Sequence, residues 1–312
     1  MKKILITGAN GQIGSELKEA LSGKFGGENI IGLDIKPGLD QPGIQEIADV
    51  TDISHLRTII QKYSIDTIFH LASLLSARGE QNPDLAWKIN MGGLKNVLDL
   101  SRAFKLQVFW PSSIAVFGPS TPREMTPQTT ILEPNTMYGV TKLSGEMLCK
   151  YYFEKFGVDV RSVRYPGLIS YKTEPGGGTT DYAVEIFYEA AKHKRYISFV
   201  NSETCLPMMY MPDAVRASIE IMLAKPENIK IRTSYNLTAV SFSVAELEKE
   251  IQKHMPEFEC KYAPDYRQRI ATSWPKSIDD SAARTQWGWE HQYGLPEIVE
   301  DMLNHLRGKF EL

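Results

Sequence analysis

The feature that most constrains the fold is a short apolar strand that runs directly into a glycine-rich turn near the start of the chain. Residues Lys3–Thr7 are typical of a β-strand, and Gly8, Gly11 and Gly14 follow in the spacing GxxGxxG. Glycines so placed allow a tight turn and let the backbone approach a pyrophosphate at a helix N-terminus. An ordinary strand-to-helix turn can have the same residues, so the motif depends on its context.

Apolar, β-branched runs alternate with amphipathic stretches through the first half of the chain. The predicted strands after Lys3–Thr7 are Ile30–Asp34, Thr67–Leu71, Gln107–Pro111 and Asp159–Arg164. Strands separated by helices require right-handed crossovers, which produce a parallel sheet covered on both faces. The pattern therefore predicts an α/β fold with a Rossmann-type, doubly wound parallel sheet.

The second half of the chain is less regular. It contains the glycine run Gly176, Gly177 and Gly178, a helix-like stretch from Asp181 to Lys192, and short strands mixed with helices. For 312 residues, we expect about two domains. These are a Rossmann domain over 1–168 and a mainly substrate-binding α+β region over 169–312, from which some segments return to the first domain.

Composition excludes several classes of protein. Hydrophobic residues at 42%, charged residues at 23% and a net charge of −3 are those of a globular protein without a basic footprint for nucleic acid. No apolar run approaches the ~20 residues of a membrane span, and the Met1 terminus predicts no signal peptide. The widely spaced Cys149, Cys205 and Cys260 suit neither disulfides nor a metal site. A reduced, cytoplasmic location is expected.

An acidic residue strengthens the interpretation of the glycine motif. Asp34 ends the second predicted strand, 26 positions after Gly8. A carboxylate there accepts hydrogen bonds from the adenine ribose hydroxyls of NAD and repels the 2′-phosphate of NADP. NAD is therefore favoured as the cofactor, although Lys36 lies nearby.

The remaining predicted cofactor contacts follow the strands. Asp49 is placed to reach the adenine amino group, or to cap a helix that starts at Thr51 or Asp52. Asn90 either steadies a buried backbone group or lies on a solvated helix face. The predicted cofactor site comprises Gly8, Gly11, Gln12, Ile13, Gly14, Asp34, Asp49, Val50, Leu71, Ala72, Ser73, Asn90, Tyr138, Lys142 and Tyr165.

Tyr138 and Lys142 form the candidate catalytic pair. They are four residues apart, on one face of a predicted helix, and Ser113 at the end of the fourth strand supplies a hydroxyl to the same cleft. A positive charge ~4 Å away favours the phenolate by about 4 kcal/mol at an effective dielectric of ~20, which brings the tyrosine pKa from ~10 to near ~7. A phenol of that pKa acts as a general base near neutral pH.

These residues together resemble the extended branch of the short-chain dehydrogenase/reductase superfamily. Within it, five stretches resemble the L-threonine 3-dehydrogenases: Pro111–Ser113 leading to Phe117–Pro119, Arg164–Gly167, Pro175–Ala183, Leu206–Tyr210 and Ser273–Pro275. The resemblance implies oxidation of the L-threonine β-hydroxyl by NAD to L-2-amino-3-oxobutanoate, in a homodimer. It implies a base in Tyr138, a pKa-lowering cation in Lys142 and an orienting hydroxyl in Ser113.

The resemblance also implies a substrate site made of Ser76, Gln81, Ser112, Ser113, Tyr138, Thr179, Thr180 and Trp274. The residues themselves leave other roles open, because Thr179 and Thr180 equally suit a helix cap and Trp274 suits a core position. No metal is needed for this chemistry.

Two other functions remain open. A nucleotide-sugar epimerase or dehydratase uses the same Tyr–Lys pair, and it needs basic residues to hold a second diphosphate; the candidates are Lys192, Lys194, Arg195, Arg216 and Arg284. A non-catalytic NAD sensor has no need of Tyr138, Lys142 and Ser113.

Overall fold

The computed structural model describes residues 1–38, 42–176 and 178–310, so Gly177 of the glycine run lies outside the described residues. The strands are β1 (Ile4–Thr7), β2 (Ile30–Asp34), β3 (Ile44–Ile47), β4 (Thr67–His70), β5 (Gln107–Phe109), β6 (Ser112–Ser113), β7 (Val160–Arg161), β8 (Val163–Tyr165), β9 (Gly167–Ile169), β10 (Arg195–Ser198), β11 (Cys205–Tyr210), β12 (Tyr235–Asn236), β13 (Val240–Ser243) and β14 (Glu259–Tyr262). The helices are α1 (Gln12–Phe25), α2 (Ile53–Tyr63), α3 (Ser76–Gln81), α4 (Pro83–Trp87), α5 (Gly93–Phe104), α6 (Met137–Phe156), α7 (Tyr182–His193), α8 (Met211–Leu223), α9 (Val244–His254), α10 (Tyr266–Ser273), α11 (Ser281–Trp287) and α12 (Leu295–Phe310).

Six strands form one parallel sheet in the order β3-β2-β1-β4-β5-β7. The chain order reverses on either side of β1, which pairs with β2 and with β4. In doubly wound sheets such a reversal opens a crevice at the carboxyl ends of the strands, where ligands bind. The predicted α/β fold is confirmed, and the glycine turn after β1 lies at this crevice.

The sheet differs from the prediction at both edges. Ile44–Ile47 forms an edge strand that the sequence analysis missed, with only its alternate residues partly buried. At the other edge, the predicted strand Asp159–Arg164 is two strands: β7 pairs with β5, whereas β8 pairs with β6 and β12 in a second sheet. Pro111 lies between β5 and β6 and has no N–H for a ladder, which explains why the pairing breaks there.

Buried side chains cover both faces of the large sheet. On one face, Ile4, Ile6 and Phe69 share a core with residues of α8 and with Trp289. On the other face, the sheet packs with α2, α5 and α6. A third core, around α7, α9 and α12, belongs to the second half of the chain. Elements beyond residue 168 thus lie against the sheet, while the predicted domain limits stay a prediction.

Within the three described ranges, none of the helices combines the length and the apolarity that a membrane crossing requires.

Candidate active site

The glycine turn after β1 is packed too closely for side chains. Gly8 has φ of +70°, and a Cβ on it would lie 2.8 Å from the Ala72 nitrogen. A Cβ on Gly14 would lie 2.2 Å from the Gly8 carbonyl oxygen. Helix α1 follows directly, with Gly11 as N-cap, no side-chain capping bond and no acidic residue in its first turn. The backbone N–H groups at the N-terminus of α1 suit an anion, so the turn fits the pyrophosphate of a dinucleotide.

Asp34 lies beside this turn at the carboxyl end of β2. Its carboxylate accepts hydrogen bonds from the backbone nitrogens of Asn10, at 3.0 Å, and Ile35, at 2.8 Å. The Asn10 side chain in turn donates to the Lys36 carbonyl at 2.7 Å. The carboxylate is therefore fixed at the position where the ribose of a dinucleotide would lie.

The next predicted contact, Asp49, is exposed and accepts two hydrogen bonds of 2.8 Å from the backbone and hydroxyl of Thr51. It does not cap α2. That helix begins at Ile53, and Asp52 caps it by accepting from Ser54 and His55. Helix α2 therefore begins one or two residues later than the predicted start at Thr51 or Asp52. Val50 is buried, with its side chain against Gly93 of α5.

Asn90 connects the loop after β4 to helix α6. It is 6% exposed and lies in a π-helical segment, Lys88–Gly92, between α4 and α5. Its amide oxygen accepts hydrogen bonds from the Leu74 nitrogen at 2.7 Å and from the Ser73 hydroxyl at 3.1 Å. Its amide nitrogen donates to the Thr141 hydroxyl at 3.1 Å. The side chain thus steadies the loop that carries Leu71, Ala72 and Ser73; its contact with the cofactor stays a prediction.

Tyr138 and Lys142 lie in the first two turns of α6, whose N-terminus is capped by Thr136. The Lys142 ammonium is buried, donates to the Pro111 carbonyl at 2.7 Å, and lies 5.4 Å from the centre of the Tyr138 ring. The Ser113 hydroxyl interacts with the Tyr138 phenol and accepts from the Ala115 nitrogen at 3.2 Å. The structure therefore brings the three predicted catalytic residues together.

Burial has a larger effect on this pair than the sequence analysis expected. It raises the pKa of Tyr138 to about 12, against a smaller lowering by the Ser113 hydroxyl. It lowers the pKa of the Lys142 ammonium to about 7. The expectation of a tyrosine pKa near ~7 counted only the attraction between the two charges, and not the cost of placing each of them in a buried site.

The other residues predicted around the substrate come from three parts of the chain. Ser76 begins α3 and Gln81 ends it, and Glu80 in the same helix accepts from the Met137 nitrogen at 2.6 Å. Helix α3 is thereby fastened to the start of α6. Thr180 lies against Gly167, where an added Cβ would be 3.0 Å from the Thr180 side chain.

Trp274 and Thr179 are buried. The Trp274 ring belongs to the core cluster on which Tyr138 packs, and within the described part of the chain its Nε1 has no hydrogen-bond partner. Helix α7 begins at Tyr182 and has Asp181 as N-cap, not Thr179 or Thr180. Asp181 accepts from the Gly178 nitrogen at 2.7 Å.

Two predicted residues are engaged elsewhere in the protein. The Ser112 hydroxyl donates to the Glu146 carboxylate at 2.6 Å. The Tyr165 hydroxyl donates to the Ala214 carbonyl at 2.9 Å and bonds the Ser218 hydroxyl. The Tyr165 side chain therefore points into α8, and only its backbone, paired with Ser113 through β8 and β6, adjoins the cleft.

Comparison with known proteins assigns the family. The model of the NAD dependent epimerase/dehydratase family matches residues 4–238. The chain belongs to this family. A protein of Staphylococcus haemolyticus, described as an uncharacterized epimerase/dehydratase, is 49% identical over 99% of both chains.

Solved structures give the same architecture. The L-threonine dehydrogenase of Clostridium difficile matches with a TM-score of 0.97 and 51% identity, over 99% of this chain and 98% of that one. A monomeric L-threonine 3-dehydrogenase from a metagenome matches with a TM-score of 0.95 and 49% identity, over 98% and 99%. The protein is an NAD-dependent oxidoreductase with the fold of these enzymes.

Several residues that surround Tyr138 and Lys142 could not be predicted from the sequence. The Trp110 ring lies 4.7 Å from the Lys142 ammonium, and a Cβ on Gly145 would be 2.4 Å from that ring. Gly139 lets α6 approach the Ala115 carbonyl, 2.2 Å from its added Cβ. No spacing rule indicates such contacts. Glu146, in contrast, is four residues after Lys142, and the helical period alone could have placed it nearby.

Proposed function

We propose that the protein oxidises L-threonine at its β-hydroxyl to L-2-amino-3-oxobutanoate, with reduction of NAD to NADH. The observation that carries the proposal is the convergence of Ser113, Tyr138 and Lys142 at the carboxyl edge of the sheet. The similarity to solved L-threonine dehydrogenases, at about half identity over nearly the whole chain, supports this substrate.

NAD, when bound, accepts the hydride that leaves the β-carbon. Gly8, Gly11 and Gly14 suit its pyrophosphate, and Asp34 suits its adenine ribose. Tyr138 takes the hydroxyl proton as the C–H bond breaks, so the β-carbon becomes a carbonyl. Ser113 holds the reacting oxygen in line, and Lys142 stabilises the phenolate.

We expect the predicted substrate residues to surround this point. Ser76 and Gln81 approach on α3, Ser112 lies beside Ser113, and Thr179 and Thr180 follow the glycine run. Among the residues that the structure describes, the buried Nε1 of Trp274 has no hydrogen-bond partner, and its indole suits an apolar methyl group. The Ser112 hydroxyl has to leave Glu146, or share it, in order to bind substrate.

The epimerase alternative is less favoured because most of its candidate basic residues have other contacts. Lys194 pairs with Glu257, Arg216 with Asp213 and Glu220, and Arg284 with Asp280. Lys192 lies over the ring of Phe310. A second diphosphate would have to displace these partners.

A homodimer is part of the proposal. Helices α4 and α6 pack together and carry apolar side chains that are between 37% and 52% exposed. They are Leu85, Trp87, Val140, Met147 and Tyr151. Pairing of this face with its copy would cover them. Because one similar enzyme is described as monomeric, light scattering on the purified protein decides the point. A monomer at micromolar concentration contradicts it.

The three free thiols are consistent with the proposed cytoplasmic location.

The activity is tested by following NADH formation with NAD and L-threonine, beside NADP, L-serine and L-allo-threonine as comparators. Selective turnover of L-threonine with NAD is expected. Absence of NADH from a protein that retains bound NAD would favour the epimerase. Absence of NADH with freely exchanging NAD would overturn both functions.

A further inference from the structure

The segment that leaves β9 is fastened to the helix that begins at the cofactor turn. Ser170, directly after β9, is 1% exposed and donates to the Glu16 carboxylate at 2.5 Å. Its hydroxyl also accepts from the Lys172 nitrogen at 3.1 Å, and the Lys172 ammonium pairs with Glu19 at 2.7 Å. Two contacts, one turn apart on α1, therefore hold a segment that lies more than 150 residues away in sequence.

The same segment is the stem of the glycine-rich loop predicted to receive the substrate. The Tyr171 ring stacks on His305 with ring centres 3.8 Å apart, and its carbonyl accepts from the Tyr188 hydroxyl at 2.7 Å. The loop returns at Thr180, which lies against Gly167 of β9. Its start is thus fixed on α1 and its end on β9.

The N-terminal end of α1, which carries Glu16, also joins the glycine turn. Glu16 is two residues after Gly14, whose backbone is pressed against Gly8. Because Glu16 lies in the same turn of α1 as Gly14, a shift of this N-terminus on a pyrophosphate would move Glu16 with it. Glu16 is 9% exposed, and burial raises its pKa, whereas the Ser170 hydroxyl and Lys172 lower it. A carboxylate kept in such a site depends on these two partners.

We infer that Ser170 and Glu16 are a positioning pair, which sets the stem of the glycine-rich loop from the cofactor helix and couples NAD binding to order in the substrate loop. The inference rests on the proposed function for its kinetic consequence only. The coupling itself needs NAD and no substrate. By this arrangement NAD prepares the threonine site before threonine binds.

The first test is hydrogen exchange of the backbone amides of residues 171–174, 176 and 178–180, with and without saturating NAD. In the unmodified protein NAD slows this exchange. Ser170→Ala loses the NAD-dependent slowing and, because coupling between two sites is reciprocal, weakens NAD binding by a few-fold. If NAD slows the exchange equally in the unmodified protein and in Ser170→Ala, the inference is wrong. It is also wrong if NAD does not change the exchange of the loop in the unmodified protein.

The second test is kinetic. Ser170→Ala raises KM for L-threonine roughly tenfold, the size of one lost charge-assisted contact between coupled sites, with kcat within about twofold. Equal loss in kcat and kcat/KM overturns the inference. Glu16→Gln keeps an acceptor for Ser170 and retains most of the coupling, whereas Glu16→Leu removes it. A Glu16→Gln protein as impaired as Glu16→Leu contradicts the role of the hydrogen bond.

Ser22→Ala is the matched control. Ser22 is a buried serine on the same helix, and within the described ranges its hydroxyl has no partner. Ser22→Ala is expected to change neither the hydrogen exchange of the loop nor KM for L-threonine. If the unmodified protein oxidises no amino acid and Ser170→Ala still abolishes the NAD effect on the loop, the proposed substrate is wrong and the pair stands.

Discussion

Successive turns of α6 carry two buried charged systems that are built in opposite ways. In one turn, the Glu146 carboxylate accepts two hydrogen bonds from Arg164, at 2.9 and 2.8 Å, and one from Ser112. Arg164 also binds the Asn236 side chain at 3.0 Å. In the turn before, Lys142 has one carbonyl and two aromatic faces as neighbours.

The difference separates structural support from chemistry. Glu146 and Arg164 satisfy one another through two hydrogen bonds, so removal of one leaves the other buried alone. Tyr138 and Lys142 have few partners, and burial shifts their pKa values in opposite directions, to about 12 and about 7. Strongly shifted pKa values of this kind mark candidate acid–base sites. For Tyr138 to act as the base, the positive charge of oxidised NAD has to lower its pKa from this value.

The largest effect is expected when the sparsely bonded pair loses its reactive oxygen. Tyr138→Phe removes the proposed base and is expected to reduce kcat about 10³-fold, within the range of general base catalysis. Stability changes little, because the ring that packs on the core remains. Steady-state kinetics and thermal unfolding measure both. The exposed Tyr266→Phe serves as control. Turnover within tenfold of normal would remove Tyr138 as the base.

The well-bonded pair should behave in the reverse manner. Glu146→Gln keeps the shape and removes the charge, so Arg164 is left buried without a counter-ion. Unfolding in urea should show a loss of about 3–5 kcal/mol. Glu154→Gln on the same helix, 60% exposed, is the matched control. A loss below ~1 kcal/mol would mean that the pair contributes no support.

The contrast also explains what could be predicted from the sequence. The glycine turn, Asp34 and the Tyr138–Lys142 pair follow from spacing, because strand ends and helical turns place residues in a way that local sequence determines. The central strands of the sheet follow from their apolar runs. Edge strand β3 does not, because it is short and only half buried.

Partners across the fold could not be predicted. The Ser112–Glu146–Arg164 contact joins three elements, and it depends on the break at Pro111 that moves β6 and β8 into a second sheet. The pKa of Tyr138 depends likewise on burial, which no spacing reports. The substrate role expected for Ser112 therefore rests on family resemblance alone, and its hydroxyl donates to Glu146 in the structure.

Adjacent serines allow a crossed test of the two systems. Ser112→Ala removes a hydrogen bond to a buried carboxylate, so stability falls by about 1.5–3 kcal/mol. Ser113→Ala removes the hydroxyl beside Tyr138, so kcat falls by about 10- to 100-fold with a smaller change in stability. Urea unfolding and kcat are measured on both proteins. A larger kcat loss for Ser112→Ala than for Ser113→Ala would reverse the assignment.

The smallest effect is a slope in stability against pH. Lys142 has a pKa of about 7 in the folded protein and ~10.4 unfolded, so above pH 7 the unfolded state holds one more proton. Stability therefore rises with pH, by up to about 1.4 kcal/mol per unit. The window is pH 7 to about 8.5, because the buried Cys149 thiol, whose pKa burial raises, opposes the rise above its unfolded pKa of ~8.5.

The other groups near Lys142 leave this window clear. His70, whose pKa burial lowers to about 3, contributes below pH 7, and Tyr138 contributes above pH 10. Glu146 accepts a hydrogen bond from Arg164 at 2.8 Å. The buried Lys18, whose pKa burial also lowers, adds to the rise in the same direction. Lys142→Met should therefore reduce the rise, whereas Lys150→Met, at an exposed position on the helix of Lys142, should keep it in full. Parallel stability curves for Lys142→Met and the unmodified protein would show that Lys142 stays protonated in the fold, and that its one carbonyl and its aromatic neighbours satisfy it as fully as Glu146 satisfies Arg164.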